Sequence, residues 1–422
     1  MRRPIPKTFL MLFVLAKVVS AQSNLIEFER ISERDGLSQF SVYSILQDSE
    51  GYLWFGSLDG LSRYDGYNFK VFKSNPNDSA SLSDDLILSL HEDAAGTIWI
   101  GTATGGLNKF NRETGEFINF PLSDFVVASQ DENVPIVEAP IPYSLLVNKS
   151  ITKIFEDSRG YLWIGTWGGR ILLFDKYKEE FLPYTHPDTK ESMLYRSPIM
   201  EIYEDSENAL WIGTFGGGLF RHGFLTNSTG QSAHADNVTI FQHYGHDPWN
   251  ANSLANDRVV AVLEAQPGVL FVATFGGGIS VLNSTTGDFI NYEYDEKNPA
   301  SISGDELVSL FRDSVGDVWV GTFGNGLNRI PATKHDKATQ GNGTHNVDYK
   351  HLKFIHYAHQ SANPKSLSDN GILTIYEDRG GVLWFGAHRG GVNKFVRRHS
   401  QFMHCTHNPY DTNSLNDRTV TA

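Results

Sequence analysis

Among 422 residues there is one cysteine, Cys405. That excludes an internal disulfide and any zinc site built from several thiolates. Basic side chains are also scarce, since 35 Lys and Arg face 49 Asp and Glu for a formal charge of -14. Nucleic acids and sulfated polymers are recognised by positive surfaces, so a polyanion is not expected as the main partner. Sustained helical periodicity is missing too. No apolar run reaches the roughly 20 residues that a membrane-spanning helix needs. Apolar residues are nevertheless 40% of the chain and aromatics 12%, enough for a large packed core.

The first residues, "MRRPIPKTFLMLFVLAKVVSAQSN", place Arg2, Arg3 and Lys7 ahead of a short apolar run and Val19-Ser20-Ala21 ahead of Gln22. Positive start, short apolar core and small residues for cleavage are the marks of a secretory signal. Residues 1–21 are therefore expected to be removed outside the cytoplasm.

What dominates the rest is a repeat. "DSEGYLWFGS" at 48 returns as "DAAGTIWIGT" at 93, "DSRGYLWIGT" at 157, "DSENALWIGT" at 205, "DSVGDVWVGT" at 313 and "DRGGVLWFGA" at 378, with a degenerate "AQPGVLFVAT" at 265. The anchors Trp54, Trp99, Trp163, Trp211, Phe271, Trp319 and Trp384 lie 45 to 65 residues apart. Each unit reads as four short strands divided by Gly, Asn, Asp or Ser. That pattern predicts an all-β, seven-bladed propeller over residues 22–399, built from four-stranded antiparallel blades.

Asp followed three residues later by Gly suits a type I turn between the first two strands, capped by the Asp carboxylate. Asn208 replaces that Gly in the fourth copy and also tolerates positive φ. An acid repeated around a ring is scaffold, whereas a catalytic acid is wanted once. The Gly two residues past each Trp shares its pleat parity and leaves room for a neighbouring blade.

"NLIEFERIS" at 24–32 resembles the fourth strands "FKVFK" and "FINYEY" and is expected to close the last blade, leaving no free sheet edge. "QFMHCTH" from 401 then has no place in the ring, so residues 400–422 read as the start of a second one.

The recurring D-x-x-G-x-[LIV]-W-[IFV]-G-[TS], with a following G-G-[LVI] and "NP...SLS" loops, resembles the two-component regulator propeller family. That resemblance implies an extracytoplasmic sensor, carried by a bacterial receptor that continues through an immunoglobulin-like domain and one membrane span. A histidine kinase or a diguanylate cyclase follows, and the receptor is expected to work in pairs. Carbohydrate breakdown products are the implied ligands, and the implied location is the periplasm.

In a propeller the loops between second and third strands gather at the mouth of the central channel. Four residues past each anchor stand Leu58, Ala103, Trp167, Phe215, Phe275, Phe323 and His388. An arc of rings there can stack on a sugar face or a peptide side chain, or it can fill blade interfaces. Asp59, Trp167, Arg170, His388 and Arg389 break the Phe-Gly-Gly-Gly pattern, and unequal polar positions are what orients a ligand. The expected ligand-binding set is Asp59, Trp167, Arg170, Phe215, Phe275, Phe323, His388 and Arg389. Histidines at 243, 246, 356, 359, 404 and 407 sit in repeated strand and loop positions, so no metal site is expected, nor any cofactor. Insertions at 122–148, 222–239 and 331–351 interrupt the repeat. No carboxylate pair or nucleophile constellation stands out, so the alternatives, a secreted lyase or glycosidase and a protein-interaction scaffold, lack a motif of their own.

Overall fold

In the computed structural model the described residues are 26–122, 146–183, 194, 197–223, 240–332 and 349–397. Residues 1–25, the Cys405 region and most of the three insertions lie outside them. The described chain forms seven antiparallel four-stranded sheets. Blade 1 runs Val42–Gln47, Leu53–Ser57, Gly60–Tyr64 and Phe69–Phe72, and the later blades repeat this order. The first strand of each blade lines the channel and the fourth lies at the rim.

Second strands such as Leu53–Ser57 and Leu162–Thr166 are buried along their whole length, which accounts for their unbroken apolar character. The glycines after the tryptophans explain how closely neighbouring blades approach. A Cβ on Gly165 would stand 2.6 Å from Cγ2 of Ile199 in the next blade, and one on Gly101 would stand 2.6 Å from that of Ile151. The sequence reading of these glycines holds.

Closure is as expected. Glu29–Ile31 pairs antiparallel with Val392–Val396, opposing Ile31 to Val392, and completes the seventh sheet. Arg30 secures it by donating to the carbonyls of Asn363, Ser366 and Leu367 and to the Ser366 hydroxyl, at 2.9 to 3.2 Å. Phe28 is buried against Phe385 and Tyr357.

The repeated Asp does more than cap a turn. Asp48 Oδ1 accepts from the Glu50 and Tyr52 amides, as expected, and Oδ2 accepts the Trp54 indole N–H at 2.8 Å. The same carboxylate–indole bond joins Asp93 to Trp99, Asp157 to Trp163, Asp205 to Trp211, Asp313 to Trp319 and Asp378 to Trp384, at 2.6 to 2.9 Å. Blade 5 has lost both members together, with Ala265 and Phe271 in their places. Asn208 takes φ 62°, as its substitution for Gly requires.

Neighbouring blades are latched on this same face. The first amide after the Asp donates to the acid one residue before the next blade's turn position, as in Ser49 to Glu92, Ala94 to Glu156 and Ser206 to Glu264 at 2.7 to 2.8 Å. Blade 6 carries Arg312 where these blades carry Glu, and its guanidinium donates to the Ala265 carbonyl at 2.8 Å. The loss of an acid in blade 5 is thus met by reversed hydrogen-bond polarity in blade 6.

Candidate functional site

On the opposite face, the loops between second and third strands of blades 3 to 7 are each pinned by their own blade. Trp167 N–H donates to the Ser150 carbonyl, Phe215 to Pro198, Phe275 to Arg258, Phe323 to Glu306 and His388 to Gly371, all at 2.8 to 2.9 Å. These acceptors immediately precede the channel-lining strands, so the loop residues stand at the channel mouth. Here the structure brings together what the sequence placed far apart. Ring centroids run Trp167 to Phe215 at 6.4 Å, Phe215 to Phe275 at 5.8 Å, Phe275 to Phe323 at 6.1 Å and Phe323 to His388 at 5.4 Å. Five consecutive blades therefore form one continuous arc, within the range where aromatic pairs attract. Leu58 and Ala103 leave it open over blades 1 and 2.

The arc is unequal in depth. Phe275 is 1% exposed and Phe215 8%, both inside the largest apolar cluster, whereas Trp167, Phe323 and His388 are half-buried. The two inner rings serve packing; Trp167 and Phe323 also pack against apolar clusters but, like His388, keep part of their surface exposed. Burial, then the positive charge of Arg389, holds the His388 imidazole below the usual histidine range, against the pull of Asp369.

Polar groups flank the rings. Arg170 and Arg389 share the loops of Trp167 and His388, and neither guanidinium has a hydrogen bond or ion pair to another described residue. Asp59 stands apart from the arc in blade 1, in an exposed pair with Lys73 at 2.7 Å. Arg258, which sequence reasoning missed, lies over the Phe215 ring at 5.6 Å. Its signal was present, because the residue before that strand is Leu86, Ser150 or Pro198 in blades 2 to 4 and turns to Arg258 and Glu306 in blades 5 and 6.

A second missed feature lies deeper. Lys153 and Glu201 occupy the third position of the channel-lining strands Ile151–Glu156 and Ile199–Glu204 and pair at 2.5 Å. Burial pushes the Glu201 carboxyl up, against the pull of Lys153. Comparing "ITKIFED" and "IMEIYED" with "VYSILQD" exposes both residues as departures from the repeat.

The described histidines in the repeated strand and loop positions contact backbone carbonyls. His243 Nε2 contacts the Gly217 carbonyl and His356 Nε2 that of Ser301, while His246 and His359 contact Leu254 and Leu367, all at 2.7 to 2.8 Å. Among the described residues no three His, Cys, Asp or Glu side chains gather as a metal site. His404, Cys405 and His407 lie outside the described residues. The latched face holds an open groove of about 620 Å³ between blades 6 and 7. Its Asp313 and Asp378 are spent on turns and indoles.

Four stretches, 36–59, 81–104, 145–168 and 366–389, match the model of the family described as two component regulator propeller. A 69-residue stretch, 16% of this chain and 5% of the relative, is 46% identical to Histidine kinase P4 of Formosa agariphila. Among solved structures, the chain is similar to the extracellular domain of a B. thetaiotaomicron protein described as the hybrid two component system BT3049. That match has TM-score 0.63 and 21% identity and covers 88% of this chain but 42% of the other. A streptogramin B lyase matches at TM-score 0.53 and 17% identity over 88% of this chain and 97% of the lyase. At these identities the likeness is one of fold. Among the described residues no helix is long and apolar enough to cross a membrane.

Proposed function

From a chain that carries the two-component regulator propeller repeat, we propose that residues 22–399 are the ligand-binding, periplasmic sensor portion of a bacterial transmembrane receptor. The observation that carries this reading is the continuous arc of rings on one face of blades 3 to 7. Scaffold chemistry, by contrast, occupies the six turn aspartates of the other face. The ligand is a small molecule held at the channel mouth by Trp167, Phe323 and His388 over buried Phe215 and Phe275, and oriented by Arg170 and Arg389. Asp59, set in blade 1, is the outlying member of this set. Carbohydrate is the ligand class, because pyranose rings offer apolar faces to aromatic side chains and hydroxyls to charged ones. Signalling follows if the ligand binds one arrangement of paired receptors better than the other. The output, a histidine kinase or diguanylate cyclase, belongs to the receptor and not to these residues, and no catalytic step is assigned to them.

Calorimetry of wild type and the Trp167→Ala/Arg389→Ala double variant against neutral oligosaccharides, with peptides as controls, tests this. Saccharide affinity is expected to fall at least tenfold in the variant. Unchanged affinity discards the assignment.

A further inference from the structure

In most blades the third position of the channel-lining strand is small, as in Ser44, Ser309 and Thr374. Between blades 3 and 4 it is an ion pair, Lys153 with Glu201. Two charges taken out of water repay their desolvation poorly, and apolar side chains of similar volume hold a seam at least as well. The pair is also not sealed in, since the Lys153 side chain is 31% exposed and that of Glu201 13%.

Its place in the sheets ties it to the arc. Lys153 lies opposite Gly165 and Glu201 opposite Gly213. Those glycines precede Trp167 and Phe215 by two residues, so pair and rings share one face of each blade. Trp167 therefore lies on the face of blade 3 that carries Lys153, and Phe215 on the face of blade 4 that carries Glu201.

We propose that Lys153 and Glu201 form a hydroxyl-reading subsite for one sugar ring seated against Trp167. This rests on the carbohydrate reading above and adds the residues that select among sugars. Vicinal hydroxyls each donate and accept. An ammonium supplies donors alone and a carboxylate acceptors alone, so the pair complements two neighbouring hydroxyls of fixed relative orientation. The half-buried Trp167 ring offers the apolar surface for the C–H face of the same pyranose. The remaining blades, with small residues at this level, offer no equivalent pair among the described residues, so the subsite is single and confined to blades 3 and 4.

The test measures binding of cellohexaose, laminarihexaose and mannohexaose to the full chain by calorimetry, with thermal melting in parallel. The variants are Lys153→Leu/Glu201→Leu, Glu201→Gln and Trp167→Ala. The Leu pair is expected to melt at or above the wild-type temperature yet bind the preferred hexasaccharide at least tenfold more weakly. Glu201→Gln, which keeps the shape and removes the charge, is expected to narrow the preference among the three sugars. Wild-type affinity and preference in both variants, with binding lost in Trp167→Ala, would overturn the subsite and leave the sensor reading standing. If none of the three sugars binds wild type, the carbohydrate reading falls and the subsite with it.

Discussion

Blade 5 is a natural experiment on the other six, and blade 4 is where to repeat it. Asp205 is 6% exposed and its carboxylate accepts three N–H groups: Glu207 at 3.0 Å, Ala209 at 2.8 Å and the Trp211 indole at 2.7 Å. Bonds to a charged acceptor contribute about 1.5 to 3 kcal/mol each, and a buried donor left unmet costs about 1 to 3 kcal/mol. The Glu207 amide is near water, so Asp205→Ala is expected to cost about 3 to 5 kcal/mol, mostly from the Ala209 and Trp211 donors. Trp211→Phe removes one charge-assisted bond and some ring volume, for about 2 to 4 kcal/mol. The double variant recreates the Ala265 and Phe271 of blade 5, in which neither partner is stranded. Its cost is expected to fall short of the sum of the single costs by about 1.5 kcal/mol or more, the coupling typical of groups in direct contact. Urea unfolding followed by far-UV circular dichroism at fixed pH measures all three. Additivity within about 0.5 kcal/mol, the behaviour of independent sites, would refute the claim that acid and indole act as one unit.

Ring closure makes a second prediction: Arg30→Ala removes four hydrogen bonds that fasten the closing strand and should destabilise by about 2 to 3 kcal/mol. Hydrogen exchange should rise first in Val392–Val396, and uniform acceleration over all blades would contradict the closure argument. Acid should loosen the seam between blades 6 and 7. Burial works upward on the Glu377 carboxyl, but bonds from Ser314 and Arg397 outweigh it and hold the group below the usual glutamate range. A depressed carboxylate stabilises the fold above its unfolded pKa and loses that contribution as pH falls through the folded value. The stability gap between wild type and Glu377→Gln should therefore be full at pH 7 and shrink as pH drops below about 4.5. A gap that does not change with pH would count against it.

Much of this molecule is legible in its sequence. A recurring Trp, a Gly at fixed parity and a turn Asp are local requirements repeated in six blades, and the degenerate copy of blade 5 keeps their register, so seven units spelled out the ring. The likeness of residues 24–32 to the fourth strands pointed to its closure, which Glu29–Ile31 carries out. Recognition of the loop rings was equally a matter of register, since each stands four residues past its anchor.

Contacts between blades were a different matter. The bond from the turn Asp to its Trp indole spans six residues, yet the β-pattern says nothing of which way an indole N–H points. Ser49 meets Glu92 across 43 positions, and Arg312 answers the missing acid of blade 5 across 47. Which rings of the arc are buried and which reach solvent depended on how neighbouring blades stack, and so did the meeting of Lys153 with Glu201. Periodicity within a strand sets which face a side chain takes. Only the packing of one sheet on the next decides what it finds there.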